Sequence, residues 1–211
     1  MPFLKKIKLF LLFFILPSVL LLTGIFSYSF YISSREKKRF TQQKEKSIDL
    51  VSIFTGDEGR IEFGLREALR IKAKRIFISG VYNKNSMERV LAKIKQNLNH
   101  SPKDFNHLKK ILEIDYYSRN TIENVISTLH FMNKHRELKN VLIISHDYHL
   151  LRIRTILSSV RGNEKMDHFY FLGIKSSLKN YRQLKVYFKE GLKYIQSCLL
   201  FLIWDAELSF L

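Results

Sequence analysis

The chain has 211 residues, 46% of them hydrophobic: enough for one ordinary domain plus an accessory segment, and too apolar for a disordered chain. Lys and Arg number 36 against 19 Asp and Glu, and the net charge of +17 favours phosphates, nucleic acid or anionic head groups, although a general lysine-rich composition explains it as well. The single cysteine, Cys198, excludes an intramolecular disulfide and a cysteine metal cage.

No charged residue occurs from Leu9 to Ser34. About 20 apolar residues suffice to cross the hydrocarbon core. Tyr28 and Tyr31 are placed as an interfacial belt, and Pro17 is tolerated in a lipid-embedded helix. Lys5, Lys6 and Lys8 would also suit a cleaved signal peptide, but the apolar stretch is long for one and no clear small-residue cleavage site follows. An uncleaved anchor over 1–34 is therefore expected, then a charged linker over 35–47 and a domain over 48–211. Orientation has two readings. Basic residues are more numerous after the span (Arg35, Lys37, Lys38, Arg39, Lys44, Lys46), which by count puts the domain in the cytoplasm. The short N-terminal flank resembles a signal anchor, which puts it outside; a periplasmic domain on a single-pass inner-membrane anchor is the expectation.

After the linker, short apolar runs alternate with helical patterns. "IDLVSIFT" (48–55), "RIFISG" (75–80), "ILEID" (111–115), "NVLIIS" (140–145) and "HFYFLGI" (168–174) read as strands. "RIEFGLREALRI" (60–71), "TIENVISTLHFM" (121–132), "DYHLLRIRTILSSV" (147–160) and a long stretch from about Leu178 read as helices. Near-continuous apolar strands alternating with helices predict an α/β fold: a Rossmann-like three-layer sandwich with a mostly parallel sheet, behind a transmembrane helix. The run "CLLFLIW" (198–204) is too short to span and is expected to dock on the sheet or lie at the bilayer surface.

Ligands of such folds bind beyond the carboxyl ends of the strands. Those ends read "TGDEGR" (55–60), "SGV" (79–81), "YYSRNTIEN" (116–124) and "SHDYHLLR" (145–152). Turn chemistry accounts for part of this, and there is no G-x-G-x-x-G fingerprint. Asn120 with Glu123 fits a capping box. That does not explain Arg119, a positive charge at an already positive helix end, which suits an incoming anion. His146 and His149 are three apart, but zinc needs a third protein ligand and neither H-E-x-x-H nor a cysteine cluster is present, so no metal is expected. His149 with Arg152 one turn on suits acid–base work on a phosphate ester, with structural packing of His149 as the alternative. Arg154 is expected to face solvent. Charge alone argues for nucleic acid, with no recognisable binding motif, so no nucleic-acid partner is expected.

With "FTGDEGRIEFGL" (54–65), "IFISGV" (76–81), "SRNTIENV" (118–125) and "IISHDYHLLR" (143–152) in view, residues 48–195 resemble the SanA/YdcF-like family, also called domain of unknown function 218. The resemblance implies a Rossmann-like fold, often behind a membrane anchor, in bacterial proteins linked to envelope integrity and peptidoglycan or lipid-carrier metabolism, some of them binding a nucleotide-type ligand. It implies no defined cofactor. Carried over by motif, the site falls on Gly56, Arg60, Ser79, Gly80, Arg119, Asn120, Thr121, Asn124, Tyr148 and Arg152 as ligand- or anion-binding residues, with His149 and Glu123 as catalytic ones. The chain departs from the pattern at Leu151, where many members have Pro, at His146, where Ser is usual, and after Val81. There the Glu-containing glycine-rich stretch is missing and Glu88 is a weak substitute. Two functions follow: an envelope enzyme acting on a phosphate-containing, nucleotide-like or lipid-linked substrate, or a non-catalytic binding or assembly module using the same pocket.

Overall fold

Five apolar runs pair in register into one all-parallel sheet of order β3-β2-β1-β4-β5. The computed structural model describes residues 9, 11–42, 47–81, 102–161, 166–176 and 181–203. Its strands are β1 (Leu50–Phe54), β2 (Arg75–Ser79), β3 (Leu112–Ile114), β4 (Val141–His146) and β5 (Phe169–Ile174). The helices are α1 (Leu16–Gln42), preceded by a π-helical stretch at Leu11–Ile15, α2 (Arg60–Arg70), α3 (Pro102–Ile111), α4 (Thr121–Lys134), α5 (Asp147–Arg161) and α6 (Tyr181–Ile203). The predicted strand over 111–115 is shorter than expected because α3 runs straight into it, with Leu108 buried against the sheet. Glu88, in the stretch 82–101, and Trp204 lie outside the described residues.

Alternation along the strands explains the three layers. Val51, Ile53, Ile76, Ile78, Leu142 and Ile144 face Leu65 and Ala68 of α2 and Leu108 of α3. Leu50, Phe77, Val141, Ile143, Phe169 and Phe171 face Val125 and Leu129 of α4 and Leu150, Ile153 and Ile156 of α5. Strands buried on both faces have no polar side to alternate with, which is why they read as continuous apolar runs. The chain winds outward from β1 to β3, then crosses back to β4 on the other side of β1. The connections after β1 and β4 therefore leave in opposite directions and open a crevice at the carboxyl edge.

One helix, from Leu12 to Gln42, is long and apolar enough to cross a membrane, and almost none of its apolar part is buried. Leu12, Phe13, Phe14, Leu16, Val19, Leu20 and Leu21 are all exposed. The same helix does not stop at the expected boundary. Residues 35–42 of the expected linker are its last two turns, packed on the β5 edge of the sheet; 43–46 lie outside the described residues. Ile32 is fully buried, and Arg39 donates to the carbonyls of Phe169 (3.2 Å) and Asp167 (3.0 Å) while lying over the Tyr170 ring. Gly173 makes the close approach possible, since a Cβ there would sit 2.8 Å from Ser33 Oγ. Glu36 is buried between Arg154 (3.3 Å) and Arg39 (3.6 Å). Arg154 thus holds a buried carboxylate instead of facing solvent, because α1 covers that side of α5.

The run expected at the sheet or at the bilayer surface continues α6 through residues 198–203; that helix packs on α5 and α1, and Phe201 lies against the core. Leu199, Leu202 and Ile203 are exposed.

Candidate functional site

At the crevice beyond β1 and β4 lies a cavity of about 530 Å³. Of the residues expected at a site, Gly56, Arg60, Gly80, Arg119, Asn120, Thr121, Asn124, Tyr148, His149 and Arg152 line it. Ser79 and Glu123 do not.

Ser79 lies beneath the floor, fully buried. Its Oγ is 2.9 Å from Asp115 Oδ2 and 3.1 Å from Asn124 Oδ1. Gly80 follows with φ +80°, and a Cβ there would come within 2.8 Å of Asn124 Oδ1 and 3.0 Å of Thr55 Oγ1, so only glycine fits. Burial raises the Asp115 pKa, but hydrogen bonds from Ser118, the Tyr117 amide, Ser79 and Ser127 outweigh it and hold the carboxyl below its usual value. Asp115 ties the ends of β2 and β3 to the start of α4. Sequence reading passed over it as the end of a strand; an acidic residue closing an apolar run was the available signal.

Glu123 is spent on the cap. Asn120 Oδ1 accepts from the Glu123 amide (3.0 Å), and the Glu123 carboxylate accepts from the Arg119 amide (2.6 Å) and the Asn120 carboxamide (2.5 Å). This is a capping box extended by one residue. The Glu123 carboxylate is therefore held in the cap, off the cavity wall. The cap leaves the first amides of α4, at Thr121 and Ile122, without intrahelical acceptors beside the cavity, where the helix end carries partial positive charge. Arg119 stands at this end with an exposed side chain, and its guanidinium has no hydrogen bond or ion pair among the described residues.

Arg60 is different. Its Nε donates to His146 Nδ1 (2.6 Å), Nη1 to the carbonyls of Phe54 (3.2 Å) and Thr55 (2.9 Å), and Nη2 to the Tyr148 hydroxyl (3.3 Å), with Asp57 at 3.5 Å. Only 4% exposed, with its donors engaged, Arg60 is a strut and not a free anion clamp. Tyr148 in turn donates to Asp57 and stacks on His146. Burial, then the Asp57 carboxylate, push the Tyr148 phenol well above its ordinary value, so it remains a donor. Burial and the Arg60 charge lower the His146 pKa, consistent with a neutral ring accepting from Arg60.

His149 sits below the wall between two arginines. Its Nδ1 is 2.9 Å from Ser145 Oγ, and its Nε2 is 3.1 Å from Thr121 Oγ1 and 2.9 Å from Arg152 Nη2. Arginine only donates, so the 2.9 Å contact makes Nε2 the acceptor and puts the proton on Nδ1, directed to Ser145; Arg60 Nη1, 3.4 Å from Nδ1, is then a neighbour and not a donor to it. Burial first, then Arg152 and Arg60, hold its pKa well below the free value, and the ring is neutral. Arg152 also bridges to Glu190 of α6 (3.0 and 3.1 Å), which Lys193 approaches at 3.2 Å. The carboxylates among the arginines are thus Asp57 and Glu190. Asp147 turns away to the amides of Tyr148 (2.8 Å) and Ser176 (3.1 Å) and the hydroxyl of Tyr187 (3.2 Å).

The wall from α6 (Glu190, Lys193, Gln196, Ser197, Leu200) was not anticipated. On an amphipathic helix Glu and Lys three apart read as a solvated face, so nothing local marks them. Four cationic side chains and two carboxylates line the cavity, and Arg119 is the cation without a protein partner among the described residues. The arrangement is suited to an anion held by Arg119 and the α4 amides, near a neutral imidazole. Comparison with protein-family models, with curated proteins and with solved structures finds no significant match, so the fold and the cavity stand on their own geometry.

Proposed function

We propose that this chain is a membrane-anchored bacterial envelope-biogenesis factor of the SanA/YdcF-like type. In this reading it binds a phosphate-containing ligand, nucleotide-like or lipid-carrier-linked, in peptidoglycan metabolism. The carrying observation is the Arg119 guanidinium, without a partner among the described residues, beside the first amides of α4 at the carboxyl edge of a parallel sheet. The domain is taken as periplasmic, on a single inner-membrane span.

Hydrolysis or transfer would run through His149. A phosphate that draws Arg152 off Nε2 leaves that lone pair to take a proton from an attacking water or hydroxyl as the phosphorus–leaving-group bond breaks. One observation favours binding alone: both His149 nitrogens and the Glu123 carboxylate are already engaged within the protein. The two readings separate by experiment. A thermal-shift screen of the full chain against nucleotides, S-adenosylmethionine and polyprenyl phosphates identifies the ligand, since about a hundredfold excess over Kd stabilises by about 2.7 kcal/mol. His149→Gln should then retain binding and lose turnover. If it complements a deletion strain fully while Arg119→Ala does not, the non-catalytic module is the function; if no phosphate compound stabilises the chain, the anion reading is wrong.

A further inference from the structure

A second cavity, of about 270 Å³, lies between α1 and α6, lined mostly by apolar side chains including Leu22, Phe26, Leu151, Leu184 and Phe188. It is not separate from the polar one. Tyr148, Arg152 and Glu190 line both, so the Arg152–Glu190 pair is the partition between an anion site and an apolar groove.

The groove belongs to the membrane side of the molecule. One wall is α1, within the charge-free stretch from Leu9 to Ser34. The other is α6, which runs antiparallel to it: Tyr187 packs on Phe26 and Phe30, and Gly191, one turn on, lies against Leu22. The later turns of α6 therefore pass alongside the apolar half of α1. Leu184, Phe188, Leu192, Leu199 and Leu202 share one face of α6, all exposed, opposite the face that carries Glu190 and Lys193. A stripe of this kind beside an apolar span suits contact with lipid.

We infer that the α1–α6 groove takes the hydrocarbon chain of a phosphate-bearing membrane amphiphile, which arrives sideways from the bilayer and places its phosphate at Arg119. This rests on the anion reading of the polar cavity and narrows its ligand to the lipid-linked class. A nucleotide has no use for the groove. A chain lying in it exchanges one apolar surrounding for another and carries its head group directly to the Arg152–Glu190 partition.

The test uses the full chain in phosphatidylcholine nanodiscs with a photoreactive farnesyl phosphate, the label read by peptide mapping. Label is expected in residues 22–29 and 184–194, and excess inorganic phosphate should suppress it. Gly191→Leu fills the groove, because a Cβ there already lies 3.3 Å from Leu22. Leu184→Asp, at a half-exposed position, puts a charge in it at little cost to folding. Each should lower the label by about tenfold, roughly 1.4 kcal/mol, with inorganic phosphate binding unchanged. Phosphate-competed label that is indifferent to both variants overturns the chain site and leaves the anion reading standing. Label spread over Leu12–Leu21 without phosphate competition overturns the inference as well. An absence of inorganic phosphate binding in the unmodified chain overturns the anion reading and this inference together.

Discussion

Three arginines reach one cavity and do three different things, and only their partners distinguish them. Arg60→Ala should destabilise the chain by about 3 kcal/mol, because it strands His146 and the Phe54 and Thr55 carbonyls at once. Lysine should not restore it, having neither the fork nor the number of donors. Arg119→Ala should change stability by less than about 0.5 kcal/mol and weaken phosphate binding by about tenfold or more. Urea melts and phosphate titrations of both variants test the contrast; equal loss of stability in the two would refute it. His149 gives a pH test. Its folded pKa lies well below the free value of 6.5, so the unfolded chain binds the extra proton first. Its contribution is therefore complete above the unfolded pKa and is lost as pH falls below it, by up to about 1.4 kcal/mol per pH unit. His149→Gln should flatten the stability profile on the acid side of neutrality. Residue types at the strand ends were enough to locate the cavity; which of its arginines is paired was not legible, since that depends on Asp57 and Glu190, the latter 38 residues from Arg152.

At the scale of elements, legibility followed burial. The strands announced themselves because both faces are covered, and α4 because Asn120 and Glu123 mark its start. The short α3 was missed: its few apolar positions lie among Lys, Asn and His, with Leu108 buried in the core and Ile111 packed against it. The second half of α1 was misjudged more seriously. Charges from Arg35 to Arg39 read as a solvated linker, yet Glu36 is 2% exposed between two arginines. Glu36→Ala leaves Arg154 without its carboxylate, while Arg39 keeps Asp167 at 3.9 Å, and should cost about 2 kcal/mol. Replacing Arg154 by Met in the same background should recover part of the loss by removing an unpaired charge. Thermal melts of the single and double variants measure this; a Glu36→Ala protein as stable as the original would mean the pair only bridges surfaces that other contacts already hold.

For the whole molecule, the alternation of strands and helices was enough to predict the layers and the edge where the site forms. It did not reveal that the apolar N-terminal helix belongs to the fold, because such a stretch is recognised by what it lacks and its packed continuation looks like any charged helix. A version beginning at residue 44 omits Ile32, Glu36 and Phe40 from the β5 edge. It should be less stable by more than about 3 kcal/mol than one beginning at residue 27, which keeps them. Chemical denaturation of the two decides the matter.

An unbroken helix from the apolar span to the sheet also governs motion. A domain on a flexible tether would sweep a hemisphere above the bilayer and sample every height within the tether's reach. Here α1 continues at about 1.5 Å per residue into its contacts at Gly173 and Glu36. On the proposed membrane anchor, a domain so held is expected to tilt and rotate with the helix. On the proposed span, with the N-terminal lysines Lys5, Lys6 and Lys8 held at the far face, the depth at which the Arg152–Glu190 partition rides is set by the length of the apolar stretch between them and Leu22. Two leucines inserted after Leu20 would raise that partition by about 3 Å. A dye on the domain should show an anisotropy decay in nanodiscs that follows the disc, with no faster component.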